Sequence, residues 1–312
     1  MLELVPIAAF LLIAFSIGSN DTSNSFGICI GCRVISLRKA TLLLFLLAVL
    51  GAFLQGEKVM KTVGEDLTEV SMEISAISMV VAAFVIVFSN FRGLPVSSHQ
   101  VIVGSLTGTA IALGAKVSEE TILKIVTSWL VSPIVAGILA VVIFFLLEKL
   151  LRGSIVQVDR ALKALLLCSA MVIAYNTGAN ELATAMAPVV HAKLFEAKIF
   201  AILGALFLWF GAYALSTRVI ETVCKGITAL DPKSGLSAHL GAGIAVLGFT
   251  TLGMPVSTTY AMIGGIASVG FAKGVKSVRT ETLRKIALNW VLAPLLSMAL
   301  GFLIATLVSP SL

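Results

Sequence analysis

Charge is what this chain has least of. Only 12% of its 312 residues are charged, and 58% are hydrophobic. Soluble domains carry about 25% charged residues, so a water-exposed globular surface is excluded. The Lys and Arg residues behind the net charge of +6 are scattered between apolar runs, which argues against nucleic acid as a partner. Cysteine is scarce: Cys29, Cys32, Cys168 and Cys224 imply no disulfide framework, and Cys29-Ile-Gly-Cys32 reads as small packing residues on a membrane helix. The three histidines show no metal-ligand spacing, and no nucleophile–base arrangement is visible, so neither an enzyme nor a cofactor is expected. A basic leader is missing too. The chain opens Met-Leu-Glu with no small-residue cleavage pattern after it, so the first apolar stretch is expected to be retained.

What remains is apolar and repetitive. A membrane crossing needs about 20 apolar residues, and ten candidates are found, five in each half. They cover about 4–30, 40–57, 72–91, 95–114 and 121–147, then 163–190, 199–217, 236–252, 255–273 and 286–308. The first of each half is long and interrupted by polar residues, and the fourth begins at Pro-Val-Ser and is expected to be partly re-entrant. The halves match at a fixed offset: 181 − 21 = 160 relates Glu181 to Asp21, and 255 − 95 = 160 relates Pro255-Val256-Ser257-Thr258 to Pro95-Val96-Ser97-Ser98. Gly51 matches Gly211, Lys58 matches Arg218, Gly104 matches Gly264 and Gly114 matches Gly274 in the same frame. Trp129 and Pro133 match Trp290 and Pro294 with a one-residue insertion. The expected organisation is a first repeat over 1–152, a linker over 153–162 and a second repeat over 163–312.

Five crossings is an odd number, so the second repeat should be inverted. Loop charge agrees. Arg33, Arg38 and Lys39 have Lys193 and Lys198 against Glu196 as their counterparts. Segment 273–285 holds Lys273, Lys276, Arg279, Arg284 and Lys285 against Glu281, while its counterpart balances Lys116 and Lys124 with Glu119 and Glu120. Basic loops of one half thus face near-neutral loops of the other, as the positive-inside rule expects of inverted copies. Both termini then lie outside the cytoplasm. The expected fold is an all-α polytopic membrane protein of two inverted-topology repeats, with broken or re-entrant helices forming a central site.

Asp21 and Glu181 mark that site. Each follows an Asn, Asn20 and Asn180, inside a long apolar stretch. A carboxylate at the centre of a membrane helix costs about 2.5–3.5 kcal/mol on insertion scales, and something must offset it. Gly18 permits a break, and Ser19, Asn20 and Asp21 are favoured at helix N-caps. A helix starting there would aim free N–H groups inward. Tyr175-Asn176-Thr177-Gly178-Ala179-Asn180-Glu181 and Thr184 offer the same ingredients. The runs Pro95 to Gln100 and Pro255 to Tyr260 also read as helix starts. His99 lies within one of them, but its counterpart is Thr259, so it reads first as a capping or packing residue, with a pH response as the sharper alternative. Glu65, Asp66, Glu69 and Glu73 read as a solvated loop-side cluster.

The sign of the cargo follows from another absence. Residues 1–32, 93–115, 164–192 and 253–272 contain no Lys or Arg. Carboxylates with amide oxygens suit a hard cation such as Na⁺, whereas helix N-termini and hydroxyls suit an oxyanion. An anion cannot enter an acid-lined, low-dielectric cavity alone. A cation bound first makes its entry favourable, which is positive coupling.

At these motifs the chain resembles the inorganic phosphate transporter (PiT) family. Gly18-Ser19-Asn20-Asp21-Thr22-Ser23-Asn24-Ser25-Phe26-Gly27 and Thr177-Gly178-Ala179-Asn180-Glu181-Leu182-Ala183-Thr184-Ala185 are similar to its duplicated Gly-Ala-Asn-Asp-Val-Ala-Asn signature. The two Pro-Val-Ser runs match its patterns as well. The resemblance implies a prokaryotic-type secondary transporter of the cell membrane that moves inorganic phosphate with Na⁺ or H⁺, embedded in the lipid bilayer as a homodimer. Carried over by position, Asn20, Asp21, Asn180 and Glu181 would serve sodium. Asn24, Ser97, Ser98, Gln100, Thr184, Ser257, Thr258 and Thr259 would serve phosphate. The chain departs from the family at Glu181 and Thr184, where Asp and Asn are frequent, and at Ala48, where some relatives carry a glutamate. Na⁺ is preferred as the coupling ion, because amide and hydroxyl oxygens flank each acid. Proton-coupled transport of phosphate or a metal–phosphate complex, and a sulfate-type permease, are the alternatives.

Overall fold

The computed structural model describes residues 3–91, 96–150, 156–194, 196–226, 231–274 and 280–308. Pro95, the linker residues 153–155, and Lys276 and Arg279 therefore lie outside the described residues. The described chain is helical: α1 (Leu4–Gly31), α2 (Leu37–Lys61) running into a π turn (Thr62–Asp66), α3 (Met72–Phe91), α4 (Ser98–Ala112) and α5 (Glu119–Leu150). Then come α6 (Val156–Asn176), a second π turn (Thr177–Leu182), α7 (Ala183–His191), α8 (Ala197–Gly226), α9 (Pro232–Thr251), α10 (Thr258–Lys273) and α11 (Thr280–Val308). Among the described residues, seven helical segments are long and apolar enough to cross a membrane. This is a multi-pass membrane protein. Helices α4 and α10 are not among the seven: at 15 and 16 residues they are only about 22–24 Å long at 1.5 Å per residue, short of the ~30 Å hydrocarbon core.

The two halves interlock rather than stand apart. Helix α1 packs chiefly on α8, and α2 on the π turn of 177–182 and on α6; α4 packs on α11, and α10 on α5. Glycines let these backbones touch. A Cβ on Gly18 would lie 1.8 Å from the Leu208 carbonyl oxygen, and one on Gly178 would lie 1.9 Å from that of Ala48. Both members of one contact are offset by 160 from those of the other, since 178 − 18 = 160 and 208 − 48 = 160. Gly104 on Pro294 and Gly264 on Pro133 form a second matched set, the glycines 160 apart and the prolines 161, in keeping with the one-residue insertion. The frame even meets itself: the Tyr260 hydroxyl donates to Gln100 Oε1 at 2.5 Å, joining residues 160 apart. Tyr260 also stacks on Trp290, with ring centroids 4.0 Å apart.

One expectation is corrected. No helix begins at Ser19-Asn20-Asp21; α1 runs unbroken through the motif. The polar side chains are satisfied without a break, because the hydroxyls of Ser19, Thr22, Ser23 and Ser25 donate to carbonyls three or four residues back in their own helix. Gly18 serves close packing, not a kink. In the second half the matching stretch bulges into the π turn of 177–182 while the helical run continues.

The breaks fall at the Pro-Val-Ser segments. Ser97 and Ser257 are extended N-caps of α4 and α10, and Ser257 Oγ accepts the Tyr260 N–H. Irregular backbone at membrane depth must be buried in protein with its polar groups satisfied. Asn180 does this for residues 254–256: its Nδ2 donates to the Met254 carbonyl at 2.9 Å and its Oδ1 accepts the Val256 N–H at 3.0 Å. The Trp129 indole donates to the Pro255 carbonyl at 2.7 Å. Replacing Asn180 with Ala leaves the Val256 N–H and the Met254 carbonyl unpaired, and about 1–3 kcal/mol is lost for each such group. The expected result is a lowered unfolding temperature in detergent; an unchanged one would refute the strap.

At the other end of α9, Asp231 caps the helix by accepting the Ser234 N–H at 3.0 Å and pairs with Lys273 at the end of α10. Burial pushes its carboxyl up, but the Lys273 and Ser234 donors outweigh this and bring it down to about 2. Its folded value lies below the ordinary 3.8. Its stabilisation is therefore in place above that range and is lost as the pH falls through about 2. Asp231→Ala is expected to cost about 1 kcal/mol, the usual worth of an N-cap, read as a shift in thermal unfolding near neutral pH.

Candidate functional site

A cavity of about 10 Å³ lies where α1, the 177–182 π turn and the starts of α4 and α10 converge. It is lined by Ser16, Ile17, Asn20, Asp21, Ile86, Val96, Ser97, Ser98, Glu181, Ser257 and Thr259. Seven of the twelve residues expected from the sequence are on this wall: Asn20, Asp21, Ser97, Ser98, Glu181, Ser257 and Thr259. Volume of this order holds about one water molecule, so a phosphate would have to part the walls. Both carboxylates are buried and face this one space.

Asp21 and Glu181 are held differently. Asp21 Oδ1 accepts from the Asn24 amide at 2.9 Å and from Thr259 Oγ1 at 3.4 Å, and the same Asn24 amide reaches Thr259 Oγ1 at 2.7 Å. These partners are neutral. Glu181 is enclosed by donors: Thr258 gives its backbone N–H at 3.2 Å and its hydroxyl at 2.8 Å to Oε1, and the Ser98 hydroxyl gives to Oε2 at 2.5 Å. His99 adds Nδ1 at 3.0 Å from Oε2, off the line of an ideal hydrogen bond. Ser98 and Thr258 thus spend their hydroxyls on Glu181.

The remaining residues expected at the site surround the cavity without lining it. Asn24 reaches the wall through Asp21. Gln100 is engaged by Tyr260, Thr184 is fully buried beside the π turn, and both Asn180 oxygen and nitrogen are committed. Sequence reasoning missed two participants. His99, fully buried, ties Glu181 to Asn180, with Nε2 at 2.6 Å from Asn180 Oδ1. Ser16 lines the cavity one turn before Asn20. The hint for His99 was its place in the Pro-Val-Ser run; Ser16 carried none. The acidic residues 65–73 line a separate open cleft of about 1120 Å³ with Lys116, Glu119 and Glu120.

Two half-matched polar motifs meeting at one buried cavity, beneath paired helix starts, set what known proteins can be compared on. The model of the phosphate transporter family matches residues 17–301, which includes every lining residue but Ser16. The chain belongs to the phosphate transporter family. A Methanocaldococcus jannaschii protein named "Putative phosphate permease MJ0630" is 36% identical to this transporter over 97% of its chain and 96% of that protein. The "Sulfate permease CysP" of Bacillus subtilis is 27% identical over 98% of this chain and 88% of that protein. A solved structure described as "The sodium-dependent phosphate transporter" shares the fold across 100% of both chains, with a TM-score of 0.87 and 24% identity. The family consists of transporters, as expected, and not enzymes.

Proposed function

We propose that this transporter carries inorganic phosphate into the cell with Na⁺ by alternating access, using two inverted repeats, 1–152 and 163–312, joined at 153–162. The observation that carries the reading is Asp21: a buried carboxylate with only neutral partners, facing a cavity between the starts of α4 and α10. Sodium binds at Asp21, with Asn20 and the nearby hydroxyl oxygens completing its shell. The bound cation cancels the local negative charge, and phosphate then enters against Ser97, Ser257, Thr259 and the N-terminal turns of α4 and α10. The sodium dependence named for the solved relative supports the choice of ion, and the family supports phosphate. Assembly as a homodimer belongs to the same proposal.

The test is uptake of labelled phosphate by proteoliposomes. An inward sodium gradient is expected to drive accumulation at least about tenfold above potassium, a coupling of nearly 1.4 kcal/mol or more. Equal uptake under a proton gradient in sodium-free medium would defeat the sodium reading. A sulfate permease among the relatives favours one competitor: if sulfate displaces phosphate at equal concentration, the substrate is the wider oxyanion class.

A further inference from the structure

Two polar residues away from the cavity wall have atoms with nothing to bond to. His239 on α9 is fully buried, yet neither ring nitrogen has a hydrogen-bond partner among the described residues. Asn176 at the end of α6 is fully buried as well. Its Nδ2 donates to the Gly243 carbonyl at 3.1 Å, which fixes the amide orientation, and its Oδ1 is left without a partner among the described residues. Buried polar atoms are nearly always paired, so these orphans call for an explanation. The repeat does not demand them: 239 − 79 = 160, and the residue matching His239 is Met79, buried and apolar.

The direction in which His239 projects follows from its helix. Residues 235, 239 and 243 are spaced by four and share one face of α9. A Cβ on Gly235 would meet Ile28 Cγ2 of α1 at 3.0 Å, and one on Gly243 would meet Val172 Cγ1 of α6 at 3.3 Å. His239 therefore enters the seam where α9 meets α1 and α6. That seam starts next to the two carboxylates. Ser25, four residues after Asp21, and Thr177, four before Glu181, bring their hydroxyls to 3.4 Å across it. Asn176 adjoins Thr177, and His239 lies further along. At the far end, Arg33, Arg38 and Lys39 follow α1, and α9 begins at Asp231 beside Lys273. The positive-inside rule assigns that basic end to the cytoplasm. Along α9, His239 is about 16 Å from Thr250, which bonds Asn180, and about 12 Å from Asp231, at 1.5 Å per residue. It stands between the cavity and the inner surface.

Resting on the alternating-access reading above, we infer that this seam is the route by which phosphate leaves for the cytoplasm, shut in this structure, and that His239 and Asn176 are contacts for the departing ion. The chemistry matches a hydrogen phosphate. An imidazole, neutral or charged, carries a donor N–H, and phosphate oxygens accept. The unpaired Asn176 Oδ1 accepts, and a P–OH group donates. Both residues go without partners while the seam is dry. Water and cargo supply those partners once α9 parts from α1 and α6, and the Ser25–Thr177 pair is the first contact to separate.

Access to the seam is the first test, made on the full-length chain in membrane vesicles. Cys29, Cys32, Cys168 and Cys224 are replaced by Ala, and His239→Cys is added. A charged methanethiosulfonate reagent that does not cross lipid is applied with sodium and phosphate on both sides. Modification is expected to be at least about tenfold faster from the cytoplasmic side than from the outside, because only the inward-facing population opens the seam. A cytoplasmic rate no higher than the outer one overturns the inference.

Transport is the second test. His239→Met installs the side chain of the matched position and removes the donor. Its maximal uptake rate is expected to fall about tenfold with the KM for external phosphate unchanged, while thermal unfolding stays level or rises. A residue that only packs would leave the rate alone. His239→Gln restores an N–H and is expected to recover most of the rate. A wild-type rate in His239→Met, or a Gln variant as slow as the Met variant, overturns the assigned contact. The cysteine measurement decides if His239→Met does not fold. Failure of the wild type to accumulate phosphate would remove the transport reading itself, whereas an unreactive His239→Cys chain that still accumulates phosphate removes this inference alone.

Discussion

Asp21→Asn is expected to fold normally and to lose coupled transport. The Asn side chain can keep the contacts with Asn24 and Thr259, since no cation among the described residues depends on the carboxylate. What disappears is the charge that holds sodium. Phosphate uptake driven by a sodium gradient should fall on the order of 100-fold, corresponding to a coupling of nearly 3 kcal/mol, while thermal unfolding in detergent stays close to wild type. Glu181→Gln supplies the contrast. It sets an NH₂ where a buried carboxylate oxygen accepted from Ser98 or Thr258, and a buried donor left without its acceptor costs about 1–3 kcal/mol, so stability and uptake should fall together. Sodium-driven uptake near the wild-type rate in Asp21→Asn would refute the assigned role of that residue.

Gly178→Val and Gly18→Val are expected to be the most damaging substitutions to the fold. At each, a new Cβ would lie under 2 Å from a backbone carbonyl of the facing helix, Ala48 or Leu208. Overpacking usually costs about 1–3 kcal/mol, and here the obstacle is backbone, which cannot rotate aside as a side chain can. The helices would have to separate where α1 meets α8 and where the π turn meets α2. Gly248→Val is the control, because a Cβ there meets nothing within 4 Å. The prediction is loss of the monodisperse folded peak for the first two variants and its retention for the third. Wild-type behaviour of Gly178→Val would show that these close approaches are not required.

Much of this arrangement is legible in the amino-acid sequence, and the reasons differ by element. The apolar runs locate the long helices, because hydrocarbon demands length and hydrophobicity and little else. Pro-Val-Ser locates the breaks before α4 and α10, because proline and capping hydroxyls favour helix starts. The polar run at 18–25 misleads for a related reason: Ser and Thr serve equally well as caps and as donors to their own helix, and only burial of the whole turn decides between them. His99 is undervalued because its counterpart is Thr259, so comparison of the halves argues against a shared role. The structure places it between Glu181 and Asn180, with Nε2 2.6 Å from Asn180 Oδ1. Asn180 is legible as polar and buried, but not as the strap for residues 254–256, since that contact joins segments 76 residues apart.

The meeting of Gln100 with Tyr260 has a consequence for how such a chain can change. In a dimer of identical short subunits, a residue that touches its own copy must pair like with like, and a mutation alters both sides together. Fusing the copies into one polypeptide frees each side to vary alone, and a phenol can then face an amide where only twins could stand before. Asymmetry of this kind is most easily introduced at such self-meeting positions, where a single codon change creates a handed junction between otherwise matching parts.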